Sequence, residues 1–204
     1  KEYAKEFTDM PFLVRVEDIN GTVQPGRFLN AKDLGRQEEG ADFQMVLIDE
    51  TTNEIVIPNG TMGERHTNPQ KWNLRLENRD TGAKIDPRLS VFDQREDVTV
   101  VKLPYFGDEE HEGVIERAIP TITVQTVDGP VKVTTVYDLI LANYGIDRGI
   151  GGEVATSYTD DTPYTPTWQE KITGVKADIA IATAREFADN AEKTKGRSMI
   201  IMGG

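Results

Sequence analysis

Along the first 135 residues apolar positions recur at every second place in short runs, and Asn, Asp, Gly and Thr separate the runs. A period of two places the apolar side chains on one face of an extended chain, so Pro11-Phe-Leu-Val-Arg-Val-Glu17 reads as a half-buried strand. Asn20-Gly21 follows, a pair suited to a type I′ turn because both central residues need positive φ. Residues 13–16 are therefore expected to pair back on 22–29. Further extended runs over 43–49, 54–58 and 71–76 continue a meander. The last hairpin is the clearest: 121–127 and 131–136 flank Asp128-Gly129-Pro130, with β-branched residues on both arms. Residues 1–9 are polar and compatible with a helix.

At Thr135 the period changes to about 3.6, with Val136, Leu139, Ile140 and Asn143 on one face and Gly145 where a helix stops. Thr135 is placed to cap that helix, and Asp138 favours its positive end. Pro166 stands as a first-turn proline behind Thr165 and opens a short helix through Trp168 and Ile172 to Gly174. A longer helix is expected over 177–192, where Ala180, Ala184, Phe187, Ala188 and Ala191 form a narrow apolar stripe. Lys193 and Lys195 complement its negative end, and Gly196 releases the chain into a strand over 197–202. The class is α+β: a β-rich region over 1–135, then a helical region over 136–204 that ends in a strand.

Composition narrows the function. The 204 residues are 37% hydrophobic and 28% charged, which suits a folded, polar-surfaced chain. Asp plus Glu number 35 against 23 Lys plus Arg, and the net charge of −12 repels phosphate backbones and anionic headgroups. General nucleic-acid binding is excluded on that ground. With no cysteine the chain supplies no thiolate for zinc or an iron–sulfur cluster, and His66 and His111 are too few for a multi-histidine metal site. No apolar run approaches the roughly 20 residues that span a bilayer, so any membrane attachment is expected to come through a partner. The start at Lys1 and the close on Arg197-Ser-Met-Ile-Ile-Met-Gly-Gly204, an apolar strand running into glycines, predict an excerpt of a longer chain.

Several places carry candidate chemistry. Asp108-Glu109-Glu110-His111-Glu112 sets hard ligands beside an imidazole but fits no calcium loop, and reads as a solvated loop. Asp160 and Asp161 could form an acid–base pair, although adjacent acids among Thr and Pro usually make turns. Asn20-Gly-Thr22 and Asn59-Gly-Thr61 match the glycosylation acceptor pattern and read better as turns. Gly203 and Gly204 are the most informative. Glycines at the carboxyl end of an apolar strand let backbone amides approach a phosphate with no Cβ in the way.

Three blocks near the carboxyl end resemble one family: Val133-Thr-Thr-Val-Tyr-Asp-Leu-Ile-Leu-Ala-Asn-Tyr-Gly145, Tyr164-Thr-Pro-Thr-Trp-Gln-Glu-Lys-Ile-Thr-Gly-Val175, and the run from Ala184-Arg-Glu-Phe-Ala188 to Met202. They look like the catalytic alpha subunit of membrane-bound respiratory nitrate reductase. Tyr3 to Val14, Pro58-Asn-Gly-Thr-Met-Gly63, Lys71-Trp-Asn-Leu74 and Leu103-Pro-Tyr-Phe-Gly107 resemble the same subunit in the same order. The pattern around Trp168, Gly174 and Ala184-Arg-Glu-Phe-Ala188 is similar to molybdopterin oxidoreductases of the dimethyl sulfoxide reductase type in general. The resemblance implies an internal stretch of a longer enzyme that reduces nitrate to nitrite by oxygen-atom transfer. It implies as cofactors a molybdenum bis(molybdopterin guanine dinucleotide) and a 4Fe-4S cluster, both liganded outside these residues. The implied partners are an iron–sulfur beta subunit and a haem-bearing membrane gamma subunit, which place the enzyme peripherally on the cytoplasmic side of the cell membrane. Gly203 and Gly204 would then begin the loop toward a guanine dinucleotide phosphate, and no catalytic or metal-binding residue is expected in the chain. A chlorate- or selenate-type relative and a free-standing acidic binding or scaffold module are the rival readings.

Overall fold

The computed structural model describes residues 2–60, 75–105 and 113–201. A short helix α1 (Glu2–Phe7) precedes β1 (Leu13–Ile19). Asn20 and Gly21 take φ of 57° and 81°, so the chain turns back at once into β2 (Thr22–Phe28), with Ile19 opposite Thr22 and Val14 opposite Phe28. This is the expected primed turn.

Between residues 29 and 96 the described residues form two small ribbons. β3 (Leu47–Asp49) pairs with β4 (Glu54–Val56), and β5 (Pro58–Asn59) with β6 (Arg75–Asn78). The run expected over 43–49 is strand only at its end, because Ala41–Phe43 close a 3-10 turn first. Of the run over 71–76, residues 71–74 lie outside the described residues.

β7 (Asp97–Pro104), β8 (Val114–Thr126) and β9 (Gly129–Thr135) complete a five-stranded antiparallel sheet in the order β2-β1-β9-β8-β7. β8 is long enough to serve two neighbours. Its first part, from Val114 to Thr121, pairs with β7, and its second, from Ile122 to Thr126, pairs with β9. The sequence pattern revealed only that second part. The two edge strands, β2 and β7, touch, so the sheet is strongly curled.

Each face of the curl carries a core. Leu13, Leu29, Val46, Ile48, Val124 and Val133 are buried between the sheet and the 29–57 segment. Val101, Leu103, Ile115 and Ile119 point the other way and meet Leu139, Ala142 and Trp168 from the helices. Residues 13 and 16 of β1 divide between the two clusters, as opposite parity in a strand requires. Full burial of such a side chain contributes about 1.5–3 kcal/mol relative to exposure.

Three helices follow: α2 (Val136–Asn143), α3 (Pro166–Thr173) and α4 (Ala177–Thr194). Thr135 and Thr165 cap the first two, accepting from the amides of Asp138 and Trp168, and Gly174 ends α3 at φ 74°. The mixed α+β class is as the sequence predicts. The terminal strand is not: residues 197–201 are irregular and exposed. A strand is completed by neighbours on its flanks, and the described residues place none beside this segment.

Candidate functional site

The helical region is fastened to the sheet by two buried charges. Asp138, wholly buried in the first turn of α2, accepts from Ser90 Oγ at 2.6 Å, from the Val91 amide at 2.9 Å and from Arg148 Nη1 at 2.6 Å. Arg148 also stacks over the Phe92 ring at 4.7 Å, with Arg95 at 4.2 Å. A single carboxylate thus joins the turn before β7, the start of α2 and the loop after it.

Arg117 does the same for the next segment. It stands on β8, 1% exposed, and its Nε donates to the Ala142 carbonyl at 2.9 Å, a carbonyl in the last turn of α2. Nη2 donates to the Pro163 carbonyl at 3.1 Å, and Nη1 lies 3.6 Å from Glu153. Burial pushes the guanidinium below its ordinary range, and the Glu153 charge opposes that. Gly152 bridges to Arg117 at φ 90°, where an added Cβ would stand 3.1 Å from the Ala118 amide nitrogen. The close approach there needs glycine.

Tyr105, Tyr144, Tyr164 and Trp168 form a ring cluster with centroids 5.1–6.3 Å apart, and Trp168 Nε1 donates to Tyr105 Oη at 3.2 Å. This sets α3 on the sheet. α4 has no buried residue; it packs on α3 and leaves Ile179 and Phe187 exposed, followed by Met199, Ile200 and Ile201.

Gly203 and Gly204, the expected phosphate-facing pair, lie outside the described residues, as does the whole Asp108–Glu112 run. Asp160 and Asp161 are not an acid–base pair. Asp160 accepts from Thr156 Oγ1 at 2.8 Å, the Thr156 amide at 2.7 Å and the Ser157 amide at 3.0 Å, and these bonds hold its carboxyl below the usual range. Asp161 is paired with Lys171. Asn20-Gly21 forms the β1–β2 turn, and Asn59 ends β5 with Gly60 at φ 79°.

Among the described residues no three His, Cys, Asp or Glu converge on a possible metal position, and no helix is long and apolar enough to cross a membrane. Arg117 and Asp138 were missed as anchors in the sequence. Arg117 breaks the apolar alternation of Ile115, Ala118 and Ile119, and a charge inside such a run is the signal that could have marked it. Chemically the arrangement positions elements.

No family model matches the chain. Among curated proteins it is 47% identical to the nitrate reductase alpha chain of Bacillus subtilis over 202 residues, which is 99% of this chain and 16% of that protein. It is 43% identical to the respiratory nitrate reductase 1 alpha chain of Escherichia coli, covering 99% of this chain and 17% of the relative. It is 41% identical to the nitrate reductase alpha subunit of Mycobacterium tuberculosis, covering 100% and 16%. The chain therefore spans about a sixth of the length of the relatives it matches. Identity of this order, carried from end to end of the chain over both the curled sheet and the helices, makes it a stretch of a nitrate reductase alpha chain and a member of that family.

Proposed function

We propose that the chain is a non-catalytic wall of a nitrate reductase alpha chain, an oxidoreductase subunit whose complete form reduces nitrate to nitrite. The end-to-end identity of 41–47% to proteins named for that activity carries the reading. The wall has two parts, 1–135 and 136–204, the second held on the first through Asp138 and Arg117. The whole protein depends on molybdenum, carried by two molybdopterin guanine dinucleotides, with a 4Fe-4S cluster as an electron relay. The residues present here do not fit either metal centre: the chain has no cysteine, and among the described residues no three His, Asp or Glu side chains converge on a metal position. The ligands therefore belong to other parts of the longer protein.

Gly203 and Gly204 begin a turn that faces a dinucleotide phosphate, since glycine permits close approach and positive φ. The complete subunit works with an iron–sulfur beta subunit and a haem-bearing gamma subunit at the cytoplasmic face of the cell membrane. A chlorate- or selenate-type activity is the runner-up, because substrate choice is set around the molybdenum, whose ligands this reading assigns to other parts of the longer protein.

The experiment is to express the complete reading frame that encodes this sequence in a host lacking nitrate reductase. Nitrite formation from nitrate with reduced viologen is then compared with turnover of chlorate and selenate. Nitrate reduction at the highest kcat/KM is expected; preference for selenate, or no oxyanion reduction, would discard the reading. Gly203→Val and Gly204→Val in the same protein should lower bound guanine dinucleotide and turnover together, and unchanged cofactor content would leave both glycines as packing residues.

A further inference from the structure

The two ends of the chain meet. An added Cβ at Gly196, just past α4, would stand 4.0 Å from Tyr3 Cδ2, so α1 lies beside the turn by which the chain leaves α4. Lys5, on one face of α1, is tied to Glu50 at 2.7 Å and to Asp86 at 2.8 Å. Tyr3 and Phe7 lie one turn apart on the opposite face, their ring centroids 5.1 Å apart, and both are exposed.

The chain beyond Gly196 continues the same corner. Lys195 and Gly196, at φ 57° and 93°, reverse its direction, and the last turns of α4 then hold it. Thr194 Oγ1 accepts from the Arg197 amide at 3.1 Å, Asn190 Nδ2 donates to the Arg197 carbonyl at 3.2 Å, and Ser198 Oγ donates to the Phe187 carbonyl at 3.0 Å. The segment therefore runs back along the helix. Beyond Ser198 this fixing ends: Met199, Ile200 and Ile201 are exposed, and their amides and carbonyls find no partner among the described residues. Two large apolar side chains from one end of the chain and three from the other are thus left uncovered where the ends come together.

We propose that the remainder of the same alpha chain covers this corner, so that residues 1–204 are an excursion attached to it through a single face, with 199–201 paired there as a strand. The match extends over only 16–17% of the relatives' length, so most of such a polypeptide lies outside these residues and is joined to them at one end or both. Residues 1–2 and 202–204 reach at most about 7 Å and about 11 Å, so whichever end continues does so from this corner. A segment tethered there meets the corner at an effective concentration on the order of millimolar, which a separate subunit or a second copy has to exceed while making room for the tether. Ends that lie side by side at the surface are what an excursion from a larger body requires. Three consecutive apolar residues suit a strand covered on both faces, and their main-chain groups need partners once water is excluded. The inference rests on the chain's place in a longer alpha chain and not on that chain's activity.

The test uses the complete alpha chain together with the subunits encoded beside it. p-Benzoylphenylalanine replaces Phe7 and, in a separate protein, Ile200; after irradiation the products are sized under denaturing conditions and the cross-linked peptides identified by mass spectrometry. From both positions the expected product has the mass of one alpha chain and joins a peptide of that chain outside residues 1–204. In the unsubstituted protein the amides of Ile200 and Ile201 should exchange with deuterium about a hundredfold more slowly than in a free peptide. A label from either position in another subunit, in a second copy, within residues 1–204 or nowhere overturns the inference, as does exchange at the free-peptide rate. Nitrate reduction assayed on the same preparations separates the two readings. Activity accompanied by one of those labels overturns the inference alone, whereas the expected labels without activity leave the attachment standing and overturn the functional reading.

Discussion

Asp33 shows how one residue makes stability depend on pH. It is 5% exposed and accepts from Arg27 Nη1 at 2.6 Å, Arg15 Nη1 at 3.2 Å and the Asn30 amide at 3.0 Å. Burial raises its carboxyl, but the Arg27 guanidinium and the Asn30 amide outweigh that and leave it below the usual range. A depressed folded value means that the unfolded chain takes up the proton first as pH falls. The contribution of Asp33 is complete above an unfolded pKa of about 3.9 and fades as pH drops through the folded value. The stability gap between the parent and Asp33→Asn in urea should be flat from about pH 6 to 8 and shrink below about pH 5; a gap that widened in acid would contradict this. At Asp138 the stakes are larger. Asp138→Ala removes the one carboxylate paired with Arg148 among the described residues and strands the donors of Ser90 and Val91, so a loss of about 3–5 kcal/mol is expected from denaturant midpoints. A loss under about 1 kcal/mol would show that water replaces the carboxylate.

Helix ends and strand partners decide the elements. Thr165, 5% exposed, caps α3 through the Trp168 amide at 3.2 Å, and Pro166 holds the first turn. Thr165→Ala should cost about 1 kcal/mol, and Thr165→Ser should recover most of it. Trp168 fluorescence during unfolding reads both, because its ring rests on Tyr105 and Tyr164. Equal losses for the two variants would assign the effect to packing of the Thr methyl group. Strand formation at 197–201 follows another rule. The consecutive apolar residues Met199, Ile200 and Ile201 suit a strand covered on both faces, and without neighbours they remain irregular at 78%, 75% and 81% exposure.

At the scale of the whole molecule, Ile179 and Phe187 of α4 and residues 199–201 are large apolar side chains exposed on a chain of net charge −12. Such exposure calls for cover. The 204-residue chain by itself should therefore self-associate, seen as a sedimentation coefficient that rises with concentration and as binding of a hydrophobic dye. Ile200→Asp with Ile201→Asp should shift it toward monomer without changing the near-ultraviolet signal of the Tyr105–Trp168 cluster. A strict monomer at high concentration before substitution would mean that α3 and the 197–201 segment cover this face in solution.

Features that depend on neighbours in sequence were readable from residues alone. Asn20-Gly21 specifies its turn through allowed φ, Thr135 and Thr165 specify caps through a hydroxyl three residues before an amide, and Gly174 specifies a stop. β7 was overlooked although Val101 and Leu103 alternate correctly, because Val98 and Val100 place apolar residues on the opposite face as well. The curl that gives both faces something to cover comes from β2 touching β7 across the sheet. Family membership was legible in residue order, and Gly203 and Gly204 rest on that order alone. The sequence by itself determined turns, caps and lineage, which need only local stereochemistry or an ordered string of residues. Only the tertiary structure decided that Arg117 reaches Ala142 and Pro163, that Asp138 joins three segments, and that β4 and the second half of β8 line one groove. Those contacts join residues far apart in the chain, and their partners are selected by loop closure and burial, which no local pattern encodes.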